Sequence, residues 1–179
     1  MPVHSAGLLL YRVTVPTATP PDADASGGAS GRVGPTEPGV LIAHMGGPYW
    51  AAKDDAAWSI PKGEHDPESE PALDAAMREF REELGVEPPP GPYAELGTWA
   101  YSSGKRITVF VADGSGFSLD GLQFGQFELE WPPRSGRMQS FPEVDRAEWM
   151  PLAAARGKLV KGQRPALDAL EEHLAEASR

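Results

Sequence analysis

Three glutamates, Glu79, Glu82 and Glu83, lie within five residues of one another in the stretch Arg78-Glu79-Phe80-Arg81-Glu82-Glu83-Leu84-Gly85-Val86. On a helix, spacings of i, i+3 and i+4 gather all three carboxylates on one flank. Like charges at these spacings destabilise a helix. Arg78 can reach Glu82 one turn on and Arg81 adds a second cation, but two cations do not neutralise three neighbouring anions. A hard divalent ion supplies the missing charge. Mg²⁺ takes a few carboxylate oxygens, substrate phosphate oxygens and waters, and Mn²⁺ fits the same ligands. The plain alternative is a solvated acidic face, common in acidic proteins.

The element that must position these groups is legible in the same stretch. At about 100° per residue, Leu73, Ala76, Met77, Phe80 and Leu84 form one apolar stripe beside the acidic flank. The helix is expected to start at Ser69 as N-cap, with Glu70 and Pro71 in its first turn, and to stop at Gly85.

The run Arg-Glu-Phe-x-Glu-Glu-x-Gly-Val, with Glu70 eight residues before Arg78 and Gly63 further upstream, closely resembles the Nudix box, G-x5-E-x7-R-E-U-x-E-E-x-G-U with U apolar. The approach, Trp58-Ser59-Ile60-Pro61-Lys62-Gly63-Glu64, is similar to the family's too. One departure stands out: six residues, not five, separate Gly63 from Glu70. The extra residue falls among His65, Asp66 and Pro67, where a turn absorbs an insertion cheaply. Residues 5–12, 47–64, 127–137 and 141–149 together look like a bacterial, MutT-like subgroup of predicted nucleotide pyrophosphohydrolases.

This resemblance implies that Glu79, Glu82 and Glu83 ligate Mg²⁺ or Mn²⁺, joined by the Gly63 backbone oxygen, while Arg78 orients the carboxylates and Glu70 holds the loop. It implies water attack on one phosphorus of a nucleoside diphosphate linked to another group X, chemistry that needs positioning and charge stabilisation more than covalent intermediates. Glu79 is one candidate for activating the water. A later acid often completes such a site; Glu143 is the expected one, with Glu128 and Glu130 as competitors. Lys62, Arg134 and Arg137 are candidate phosphate-facing cations, with Lys105 a fourth, each weighed against an ordinary surface role. Trp50, Trp99, Tyr101 and Trp131 offer rings that could stack on a base. A tyrosine near Tyr101 tilts the family expectation toward dinucleoside polyphosphates, with nucleoside triphosphates also in play. The four histidines, His4, His44, His65 and His173, look scattered.

The chain has 179 residues, no cysteine and a formal charge of −10. Disulfides and thiolate chemistry are excluded, and the charge argues against a protein that grips nucleic-acid backbones. No apolar run approaches the length of a membrane span. A soluble cytoplasmic enzyme acting on a small nucleotide is the expectation, its oligomeric state open. Residues 5–13 and 40–44 read as paired strands around a mobile loop at 14–38, rich in Pro, Gly, Ala and Ser. Residues 93–101 and 106–112 read as a hairpin, 126–131 and 144–150 as strands, and Pro165–Ala177 as a closing helix. This order predicts one α/β domain with a mixed sheet between helices, and the resemblance implies an α/β/α sandwich. A Nudix-fold module that binds a nucleotide without cleaving it is the alternative from another class, and an RNA-processing hydrolase a third.

Overall fold

A computed structural model describes residues 2–14, 37–102 and 104–179, so most of the expected loop at 14–38 lies outside the described residues. Strand β1 (Val3–Thr14) and strand β2 (Glu37–Met45) pair antiparallel with Tyr11 opposite Val40. They are followed by β3 (Trp58–Ser59), β4 (Lys62–His65), helix α1 (Ala72–Leu84), β5 (Ala94–Ser102) and β6 (Lys105–Asp113). After these come β7 (Gln126–Glu130), β8 (Met138–Pro142), β9 (Val144–Pro151), helix α2 (Leu152–Lys158) and helix α3 (Pro165–Ala177).

The main sheet runs β3-β2-β1-β6-β5, with β4 paired to the first half of β1 and β9 to β2. Only β1 and β6 run parallel, so the sheet is mixed. Strand alternation decides which side chains face which helix. Ala6, Leu8, Leu10, Leu41 and Ala43 pack with Ala75, Ala76, Phe80 and Leu84 of α1. Leu9, Val40 and Ile42 point the other way, onto Leu152 and Ala155 of α2 and Ala166, Leu167 and Leu170 of α3. The result is an α/β/α sandwich with α1 alone on one face. No described helix is long and apolar enough to cross a membrane.

Three elements depart from the sequence reading. β4 has no counterpart in the sequence reading, since Lys-Gly-Glu-His carries no large apolar residue. It is a strand because β1 offers an edge, with Ala6 opposite Gly63 and His4 opposite His65. β8 is likewise polar and owes its form to β7, the two making a separate two-stranded sheet. α2 had a legible signal, three consecutive alanines after Pro151, that the reading passed over.

The box helix also starts later than expected. Pro71 occupies the N-cap without a side-chain cap, and Ser69 instead closes a turn by donating to the Asp66 carboxylate at 3.0 Å. The Ser69 and Glu70 amides both donate to the Asp66 carbonyl. This turn takes up the residue inserted between Gly63 and Glu70. On the apolar stripe, Met77 is half-buried and Ala75 is fully buried in its place. Gly85 ends α1 as expected, at φ +71° with its amide on the Arg81 carbonyl.

Candidate active site

The site begins where β4 crosses the first turns of α1. A Cβ on Gly63 would lie 1.9 Å from the Glu79 Cδ and 2.0 Å from its Oε2, so the Glu79 carboxylate sits directly on the Gly63 backbone. Only glycine leaves that space. Despite the longer loop, β4 therefore delivers Gly63 to the first of the three glutamates. The approach to β4 is fixed from the far side of the sheet: buried Gln163 accepts the Ile60 amide at 2.7 Å and donates to Ser59 Oγ at 2.9 Å.

Arg78 organises the acids around it. Its Nε and Nη2 donate to the two oxygens of Glu70, both at 2.9 Å, a bidentate clamp. Its Nη1 donates to Glu79 at 2.5 Å and reaches Glu82 at 3.4 Å, and Nη2 also meets the Glu64 carbonyl at 3.3 Å. The Glu70 and Glu79 hydrogen bonds hold the guanidinium well above its ordinary range, and Arg78 in turn holds the Glu70 carboxyl below its own. Glu70 thus fixes the guanidinium that aims Glu79.

Glu83 accepts the Lys62 amide at 3.3 Å. Burial pushes its carboxyl up to about 8, with the charges of Glu79 and Glu143 adding to the effect and Lys62 opposing it. Glu143 arrives from the loop before β9. Its amide donates to the Gly125 carbonyl and its own carbonyl accepts the Gly46 amide, both at 2.8 Å. A Cβ on Gly125 would meet the Glu82 carbonyl at 2.8 Å and the Glu143 carboxylate at 3.0 Å. Burial, then the charges of Glu79 and Glu82, raise the Glu143 carboxyl as well. Four carboxylates therefore share one field that the Arg78 and Lys62 cations only partly balance.

Comparison with known proteins decides the family. A family model described as NUDIX domain matches residues 33–170, most of the chain. The chain belongs to the Nudix family. As a Nudix protein it is a hydrolase acting on phosphoanhydride bonds. Its fold is similar to that of a Caenorhabditis elegans Ap4A hydrolase in a binary complex, at TM-score 0.57 and 20% identity over 97% of this chain and 98% of that one. It is also similar to the NUDIX domain of Shewanella oneidensis NrtR complexed with ADP ribose, at TM-score 0.56 and 14% identity over 97% and 89%. A MutT/nudix family protein from Listeria innocua aligns at TM-score 0.55 and 14% identity over 98% and 95%. The comparison with curated proteins gave no match.

The donor set of this Nudix domain fits a hard divalent ion: oxygens only, crowded, two of them raised in proton affinity by burial and by one another. Among the described residues no three or more acidic or histidine side chains already stand together as a group that could hold a metal ion. The cluster is open, with Glu79 tethered to Arg78 and Glu83 to the Lys62 amide. Of the expected cations, Lys62 lies within the field of Glu83 and Glu143. Lys105 instead pairs with Glu64 at 2.8 Å. Arg134 and Arg137 sit at the exposed tip of the β7–β8 hairpin, and among the described residues no hydrogen bond or ion pair ties either guanidinium to the α1 acids. The backbone of Tyr101 belongs to β5, while its side chain lies outside the described residues. Of the competitors to Glu143, Glu130 is turned to the hairpin tip, where it accepts the Gly136 amide at 2.6 Å. Sequence reasoning missed Gly125 and Gly46, the backbone supports of Glu143, because nothing local marks a glycine that serves a residue far along the chain.

Proposed function

We propose that this Nudix domain is a Mg²⁺-dependent pyrophosphohydrolase of nucleoside diphosphates linked to X, with dinucleoside polyphosphates or nucleoside triphosphates as its class of substrate. The observation that carries the reading is the convergence of Glu143 with Glu79, Glu82 and Glu83 across some sixty residues of sequence. Glu79, Glu82, Glu83 and the Gly63 carbonyl would hold Mg²⁺, or Mn²⁺ in its place. A bound ion supplies charge neutralisation at the phosphates and lowers the proton affinity of a coordinated water.

The remaining work falls to this chain's own groups. Arg78, clamped by Glu70, keeps the Glu79 oxygen aimed at the site. Lys62 faces the phosphate charge. Water oxygen bonds to one phosphorus as the bridging P–O bond breaks, and the water's proton passes to a carboxylate oxygen. Glu143 suits that task because burial raises its affinity for a proton and no described arginine occupies it; Glu79, already engaged by Arg78, is the second candidate. The tip of the β7–β8 hairpin stands about five residues, roughly 17 Å of strand, from Glu143, so Arg134 and Arg137 suit the far end of a long substrate. Tyr101 is assigned to the base. The Ap4A hydrolase neighbour supports dinucleoside polyphosphates, while the ADP ribose held by the NrtR domain supports only the wider class of nucleoside diphosphates linked to X. We place the enzyme in the cytoplasm, and its acidic charge speaks against nucleic-acid partners.

The test is a panel assay of purified protein with Mg²⁺ or Mn²⁺ against dinucleoside polyphosphates, nucleoside triphosphates and ADP-ribose, with products separated by chromatography. Metal-dependent turnover that vanishes in Glu83→Gln supports the reading. Nucleotide binding without turnover on any member overturns it in favour of a binding module.

A further inference from the structure

His44 looks isolated in the sequence, yet it stands in the strand pair that brings Glu143 to the acidic cluster. It is fully buried near the end of β2, with its ring edge to face against Trp58 and the centroids 5.1 Å apart. Both ring nitrogens are engaged, each at 2.7 Å. Nδ1 donates to the Asp145 carboxylate and Nε2 to the Lys53 carbonyl. The ring follows Val40 and Ile42 on the face of the sheet turned away from α1, so it has no direct part in the hydrolysis.

Asp145 meets that ring because β9 carries a bulge. His44 pairs with Arg146 and Met45 with Val144, so one step along β2 spans two along β9, and Asp145 is the extra residue. The bulge changes which side chains face α1. Trp149 and Ala147 pack on the α1 side, and strict alternation would continue with Asp145 and Glu143, leaving Val144 on the far side. Instead Val144 joins the core beneath α1, only 4% exposed, and Asp145 turns to the far side and onto His44. Glu143 is thereby left at the rim, its carboxylate beside Gly125 and its carbonyl on the Gly46 amide. A slip of one residue would exchange Val144 and Glu143 and press a carboxylate into apolar surroundings.

We infer that His44 is a positioning residue, which through Asp145 locks the β9 bulge and so holds Glu143 at the acidic cluster. The inference rests on the reading of Glu143 as the group that takes the water's proton. β2 grips the bulged segment twice, by the His44 ring at Asp145 and, two residues on, by the Gly46 amide at Glu143. The Lys53 carbonyl completes the device: by fixing Nε2 it leaves Nδ1 aimed at Asp145, and a turned ring would lose one bond or the other.

The experiment sets His44→Gln, which keeps a donor where Nε2 stands, against His44→Asn, which keeps one where Nδ1 stands. The readouts are hydrogen exchange at the Gly46 and Glu143 amides and steady-state kinetics on whichever panel substrate is cleaved. In His44→Gln both amides should exchange at least tenfold faster, and kcat should fall at least about tenfold, as a misplaced catalytic group requires, with KM and Mn²⁺ affinity by EPR within about twofold of wild type. His44→Asn should keep kcat within about threefold, because the Asp145 bond survives. Asp145→Ala breaks the same bond from a partly exposed position and should reproduce the His44→Gln pattern even where the buried substitution fails to fold. In a Glu143→Gln background, His44→Gln should cost nothing further. Unchanged exchange at both amides would overturn the inference, and so would a kcat loss that persists undiminished in that background. Full turnover in Glu143→Gln alone is a different failure, since it removes Glu143 from the chemistry and takes away the reading on which the inference rests.

Discussion

Replacing Gly63 by alanine tests the placement of Glu79 with little disturbance elsewhere. The new Cβ would stand 1.9 Å from the Glu79 Cδ, where ordinary contact begins near 3.4 Å, so the carboxylate must withdraw by about 1.5 Å. That withdrawal stretches the 2.5 Å bond from Arg78 past hydrogen-bond range. The displaced group is the end of a flexible side chain, so the cost to folding is about 1 kcal/mol, that of an off-rotamer glutamate. The cost to chemistry is larger, since a misplacement of about 1 Å in a catalytic constellation lowers the rate by about 100-fold. Gly63→Ala should therefore lose about two orders of magnitude in kcat on whichever panel substrate is cleaved, and weaken Mn²⁺ binding read by EPR, with a melting temperature within a few degrees of wild type. Gly157→Ala, where a Cβ meets nothing within 4 Å, is the control and should keep full activity. Wild-type kcat and Mn²⁺ affinity in Gly63→Ala would refute the argument that Glu79 works from the Gly63 surface.

The acidic cluster should cost the metal-free protein stability. Because the Glu83 carboxyl is raised to about 8 in the folded chain, its ionisation opposes folding, and the penalty grows as pH rises from its ordinary range near 4.5 to about 8. In EDTA, Glu83→Gln should match wild type near pH 4.5 and melt at higher temperature than wild type at pH 8, while being inactive with Mg²⁺; equal melting curves at both pH values would contradict this. Glu70→Gln removes one arm of the clamp on Arg78 and should lower kcat tenfold or more with KM little changed, whereas a pure KM effect would make Glu70 a substrate contact. Phe80→Ala empties a fully buried position beneath the box helix and should cost about 3–5 kcal/mol in urea unfolding. Gly85→Ala meets both a positive φ and the Gln123 carbonyl at 2.3 Å, so denaturation should show a loss of more than about 1 kcal/mol.

What the sequence determined by itself was whatever rests on short-range periodicity. The α1 acids and their Arg78, the apolar stripe through Phe80 and Leu84, the Gly85 stop, the β5–β6 hairpin and α3 all follow from spacings of two, three or four residues. These spacings are properties of isolated strands and helices. Tertiary structure decided everything that depends on an edge or a partner. β4 is a strand only because β1 has a free edge beside it, and that pairing both seats Gly63 on Glu79 and sets His4 against His65. Ser69 closes the Asp66 turn instead of capping α1. Glu143 is brought beside α1 by the Gly125 and Gly46 backbones, which nothing in its local sequence announces. Local sequence cannot report such choices, because the hydrogen bonds and charges that make them come from residues tens of positions away.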